Sequence, residues 1–122
     1  MISHTTLGTN DLDKAGSFYN EILSIMGATK IYESEKVIFW EFEDGGAKLA
    51  ISMTYNEEPA THGNGTMVAL SLTSNDKVNE VYAKALILGG ACEGEPGKRN
   101  DDAFYGAYFR DLDGNKIAVF HR

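Results

Sequence analysis

The sequence predicts an α+β fold, with two tandem β-α-β-β-β modules forming curled mixed sheets around a cleft. Three observations point to it. The chain repeats itself: with His4 placed over Met67, an offset of 63, the halves run in step without a gap for about 25 residues. Leu7 falls on Leu70, Asp13 on Asp76, Lys14 on Lys77, Tyr19 on Tyr82, Leu23 on Leu86 and Gly27 on Gly90. Each half also passes from period-two patterning to helical spacing and back to short alternating runs. Finally, 122 residues with 43% hydrophobic and 24% charged side chains suit one core, and they exclude a disordered or fibrous chain.

The elements follow in order. His4 to Thr9 and Thr66 to Thr73 alternate and are rich in β-branched or apolar residues, so both are expected strands. In the helices that follow, at about 12–26 and 76–88, apolar residues recur at i, i+3 and i+4: Ala15, Phe18, Tyr19, Ile22 and Leu23, then Val78, Val81, Tyr82, Ala85 and Leu86. Asn10, Asp11, Ser74 and Asn75 supply oxygens that can cap the first amides, and Gly27 and Gly90 sit where a left-handed C-terminal cap wants glycine. Three short strands complete each half, at about 28–33, 36–43 and 47–54, and at about 91–94, 104–110 and 115–121. Asp44-Gly45-Gly46 and Asp111-Leu112-Asp113-Gly114-Asn115 carry the residues that tight reversals need. The chain therefore reads as one domain over 1–122, with module one at about 1–56, a polar linker at about 57–65 and module two at about 66–122.

Alternation separates the faces of these strands. Leu49, Ile51 and Met53, like Val68, Leu70 and Leu72, are expected under a helix. That leaves Ala50, Ser52 and Thr54, and Met67, Ala69 and Ser71, as a wall of small and polar residues. Such a wall suits a ligand cavity, or a face packed by another chain. Tyr108 and Arg110 share one face, and Phe120 shares its face with Ala118 and Lys116. Phe39, Trp40 and Phe42 crowd the third strand, without a pattern that says which of them face the cleft.

Composition narrows the functional classes. A net charge of −7 disfavours nucleic acid and anionic membranes as partners. No apolar run approaches the roughly 20 residues of a membrane helix, and Met1-Ile2-Ser3-His4 lacks the features of a signal peptide. A single cysteine, Cys92, makes no internal disulfide, and a cytoplasmic setting is expected. His62 lies in the linker and could fold over the cleft, while alternation puts His121 on the face opposite Ala118.

His4-Thr5-Thr6-Leu7 with Asn10-Asp11-Leu12 and Phe18-Tyr19, together with the closing Tyr108 to Lys116 segment, resembles the vicinal oxygen chelate superfamily. This is the glyoxalase, bleomycin-resistance and extradiol-dioxygenase group, and the resemblance covers essentially the whole chain. Leu112 stands where the family has proline in Asp-Pro-Asp-Gly. The resemblance implies four metal-ligand positions, usually His, Glu, His and Glu, which fall here on His4, Ser52, Met67 and Ala118. Only His4 matches, so neither metal nor other cofactor is expected.

The expected function is that of a glyoxalase/bleomycin-resistance/dioxygenase-like protein binding a small organic molecule without metal. Its cleft would be lined by His4, Ser52, Met67, Tyr108, Arg110, Ala118 and Phe120. Arg110 could hold a ligand carboxylate, or bridge instead to Asp111 or Asp113. His4 is the one candidate catalytic residue, readable as a structural histidine, a recognition group or a general base. The alternatives are a metal-dependent lyase or dioxygenase of the same superfamily, a metal-free catalyst using His4, and an interaction module that fills its own cleft. Open sheet edges and the family comparison imply a homodimer, with the cleft wholly or partly between chains.

Overall fold

The computed structural model describes residues 1–122 and contains the expected elements in the expected order. These are β1 (His4–Gly8), α1 (Leu12–Ser24), β2 (Thr29–Glu33), β3 (Val37–Glu41), β4 (Lys48–Ser52), β5 (Met67–Ser71), α2 (Asn75–Ile87), β6 (Ala91–Arg99), β7 (Phe104–Arg110) and β8 (Lys116–His121). The first sheet has the order β1-β4-β3-β2 and the second β5-β8-β7-β6, the same topology used twice. In each, the first strand runs parallel to the last and the other pairs are antiparallel, so both sheets are mixed. They are not strongly curled, in contrast to the expectation. No helix is long and apolar enough to cross a membrane.

The helices start where their caps say. Asp11 accepts a hydrogen bond from the Lys14 amide and Ser74 from the Lys77 amide, each at 3.1 Å. At the other end the repeat misleads by one residue. Gly27 has φ +74°, but in the second module the left-handed residue is Gly89, at φ +105°, and not Gly90. Gly90 is glycine for a different reason: a Cβ there would lie 2.8 Å from the carbonyl oxygens of both Ala85 and Arg110. β6 is also longer than its sequence suggests. Gly94, Pro96 and Gly97 look like breakers, yet the strand passes through them by shifting register twice against β7.

Both modules share one core. Phe18, Tyr19, Ile22 and Leu23 of α1 join Trp40, Leu49 and Ile51 of the first sheet. Val78, Val81 and Ala85 of α2 join Phe109, Ile117 and Val119 of the second, and all belong to one buried cluster. Met53, expected beneath a helix, lies beyond the end of β4 and is 38% exposed. The modules meet through their helix sides: α1 packs on α2, Phe18 lies 6.4 Å from Phe109, and Glu21 pairs with Lys84 at 3.3 Å.

Asp111, in the β7–β8 turn, fastens this junction. It is only 6% exposed and accepts from the Tyr19 hydroxyl at 2.5 Å. It also accepts from the Asp113 amide, the Asn115 amide and Asn115 Nδ2, each at 2.9 Å. Asn115 Nδ2 donates onward to the Gly8 carbonyl at 3.0 Å. The connection between modules is drawn to the same place, because Asn10 Oδ1 accepts from the Ala60 amide at 2.7 Å and His62 abuts Gly114.

Candidate functional site

Because the helix-facing sides of both sheets feed one core, their other faces point away from it. On the first open face the register aligns His4, Thr6 and Gly8 with Lys48, Ala50 and Ser52. Phe39, opposite Ala50, belongs to this face, and the His4 ring meets it edge-on at 5.0 Å. Trp40 points the other way, 1% exposed, with Nε1 donating to Asn20 Oδ1 at 2.9 Å. Phe42 lies past β3 and packs partly against the core. His4 Nδ1 shares a 3.1 Å hydrogen bond with Ser3 Oγ, and Ser52 Oγ donates to the Met53 carbonyl at 2.7 Å.

The second open face carries a cavity of about 180 Å³ lined by Met67, Phe104, Tyr108, Ala118, Phe120 and Arg122, among others. Four residues expected in the cleft, Met67, Tyr108, Ala118 and Phe120, thus meet here. Arg110 shares the face but is already engaged. Its Nε donates to Glu93 Oε1 at 2.6 Å and its Nη1 to the Gly114 carbonyl at 3.0 Å, so it bridges neither Asp111 nor Asp113. That bond, and the charge behind it, hold the Glu93 carboxyl below the usual carboxylate range. His121 lies on the helix side, with Nδ1 2.9 Å from Asn75 Oδ1.

Besides the buried Val119, two lining residues of this cavity were missed by the sequence reading, Phe104 and Arg122. Alternation carried further would have found both, since Phe104 keeps the parity of Tyr108 and Arg122 that of Phe120. A larger cavity, about 600 Å³, lies between the modules beside the free edge of β5, against Ile25, Met26, Phe42, Ala69 and Ser71. Neither cavity is lined by His4 or Ser52.

The strand registers also test the four metal-ligand positions. Met67 lies opposite Lys116, and Ala118 is two residues further along β8. His4 lies opposite Lys48, and the residue two further along β4 is Ala50. The repeat therefore equates Ala118 with Ala50; Ser52 lies another two residues on, opposite Gly8. The four positions then offer one imidazole, one thioether and two methyl groups. That donor set does not fit zinc, nickel or iron(II), which need several imidazoles or carboxylates together.

The fold and its two open faces define a paired β-α-β-β-β protein of the small-molecule-binding kind. Residues 1–119 match the profile of the Glyoxalase/Bleomycin resistance protein/Dioxygenase superfamily, and the chain belongs to that family. A glyoxalase/bleomycin resistance protein from Albidiferax ferrireducens is 34% identical, with a TM-score of 0.90 over 100% of this chain and 98% of that one. A lactoylglutathione lyase from Haemophilus influenzae is 28% identical over 121 residues, 96% of this chain and 89% of its own. A glyoxalase-related enzyme from Fulvimarina pelagi shares the fold, with a TM-score of 0.82 at 18% identity over 100% of this chain and 88% of that one.

Proposed function

We propose that the chain binds a small organic molecule without a metal, in a cleft that a second copy of the chain completes. The observation that carries this reading is the single core between the helix sides of the two sheets. It turns His4 and Phe39 outward on one module and Met67, Tyr108 and Phe120 outward on the other. Each face is half a site. The cavity of about 180 Å³ is smaller than the roughly 300 Å³ at which ligand pockets begin, and Met67 at its rim is 45% exposed. The edges β1 and β5 stand free, and pairing two copies through them would cover both edges and set one module's face over the other's.

Kinship with a lactoylglutathione lyase favours a second reading, metal-dependent catalysis. The donor set at the four equivalent positions weighs against it, which leaves His4 as the candidate base if the protein is a catalyst. Light scattering at micromolar concentration is expected to give the mass of two chains. A monomer mass there would remove the shared cleft from the proposal. Turnover of any bound ligand that is abolished by His4→Ala, with binding retained, would move the protein from binder to metal-free enzyme.

A further inference from the structure

All three arginines of the chain, Arg99, Arg110 and Arg122, fall on the open face of the second module. Arg110 is neutralised by Glu93. The others are not. The Arg99 guanidinium carbon stands 5.7 Å from the centroid of the Tyr108 ring, Lys116 Nζ stands 5.4 Å from that same ring, and Arg122 lies 5.3 Å from the Phe120 centroid. None of these three cations has a carboxylate within 4.0 Å, although the chain carries 18 acidic residues and a net charge of −7. Arg99 spends part of its hydrogen-bonding capacity on the backbone, donating to the Glu95 and Lys98 carbonyls.

The arrangement is built, because the backbone beneath it makes room. A Cβ on Gly94 would stand 2.9 Å from the Tyr108 ring, and one on Gly97 would stand 3.1 Å from Arg99 Nη1. One on Gly106 would stand 3.0 Å from the Phe104 ring. Glycine at these positions lets the rings and the guanidinium lie across the sheet. Phe104 and Phe120 meet edge-to-face at 6.0 Å, so the cavity has an apolar floor and a cationic rim. A cation over a ring face keeps N–H groups free to meet an anion, and guanidinium matches a carboxylate with two parallel hydrogen bonds.

We propose that this pocket receives a small organic anion, an apolar or aromatic body ending in a carboxylate. The inference rests on the open faces being the ligand site, and it names the class of ligand for that site. Three probes with one ring system test it by calorimetric titration at low ionic strength: 1-naphthoate, the neutral 1-naphthamide and the cation 1-naphthylmethylammonium. 1-Naphthoate is expected to bind most tightly. The double substitution Arg99→Gln/Arg122→Gln should weaken 1-naphthoate about tenfold more than it weakens 1-naphthamide, which has no charge to lose. Equal binding of the acid and the amide, or no loss of 1-naphthoate affinity in the double variant, overturns the inference. Light scattering on the same samples keeps the two proposals apart. A monomer that still prefers 1-naphthoate loses the shared cleft and keeps the anion pocket, whereas a dimer without that preference does the reverse.

Discussion

Replacing Asp111 with alanine is expected to destabilise the chain by about 3–5 kcal/mol, a large share of the roughly 5–15 kcal/mol that holds a typical domain folded. The carboxylate satisfies four donors at once, from Tyr19, Asp113 and Asn115. Without it the Tyr19 hydroxyl, on a side chain with no exposed surface, is left buried without an acceptor. The turn that aims Asn115 at the Gly8 carbonyl also loses its centre, so the two modules are loosened together. Tyr19→Phe is the milder companion, removing one donor for about 1.5–3 kcal/mol. It has a signature of its own. Burial, then the neighbouring Asp111, raises the Tyr19 pKa well above 10.0. A group whose pKa is raised by folding contributes stability below its unfolded value and loses it as pH rises through the folded one. Wild-type stability should therefore fall with pH above about 10, and Tyr19→Phe should flatten that fall. It would not abolish it, because Tyr82 is also pushed up to about 12 by the neighbouring Cys92. Urea denaturation at pH 7 and across the alkaline range reads both effects. Equal slopes for wild type and Tyr19→Phe would show that Tyr19 is not the group responsible.

The repeat made the fold legible, because strand, cap, helix and terminating glycine recur together over its gapless stretch. Legibility faded at the end of that stretch, where Gly90 aligns with Gly27 but does not share its conformation, and beyond it. Gly89 rather than Gly90 takes the left-handed conformation, because the end of α2 comes down onto the backbone of β7 and that contact claims Gly90. The sequence pattern of β6 shows its breakers but not the bulges that let a strand survive them. At the candidate site, parity within a strand was readable, so Tyr108, Ala118 and Phe120 were correctly grouped on one face. Register between strands was not. Which residue of β4 stands beside His4 depends on loop lengths that differ between the modules, and local pattern carries no record of them. Whether Phe39 or Trp40 faces outward depended equally on the pairing of β3 with β4. The occupation of Arg110 by Glu93 depended on the register shift at Glu93, between Cys92 and Gly94, which alternation does not anticipate.

Zinc is expected to leave the melting temperature of the unmodified protein unchanged and to raise that of Ala50→Glu/Met67→His/Ala118→Glu by roughly 12–20 °C at about 1,000 times its dissociation constant. The substitutions place a carboxylate or imidazole at each position that lacks one, and His4 supplies the fourth donor. Because His4 and Ala50 lie on one open face and Met67 and Ala118 on the other, the four meet only across the proposed pair of chains. The metal-free variant should begin weaker than the wild type. Ala50 has no exposed surface and Ala118 is 4% exposed, so a longer side chain at either must find room along the open face, at about 1–3 kcal/mol each. A bound ion at that concentration contributes about 4 kcal/mol to the folded state, enough to offset most or all of that loss. Substituting Ser52→Glu for Ala50→Glu distinguishes the two registers. Ser52 lies opposite Gly8, four residues beyond the partner of His4, or about 13 Å along the strand. A carboxylate there is too far from His4 to share an ion with it, and zinc should then stabilise the variant little. If the Ser52 version gains the larger shift, the register carried over from the repeat is the wrong one. If the unmodified protein holds zinc one-to-one, the metal-free reading fails and the lyase reading takes its place.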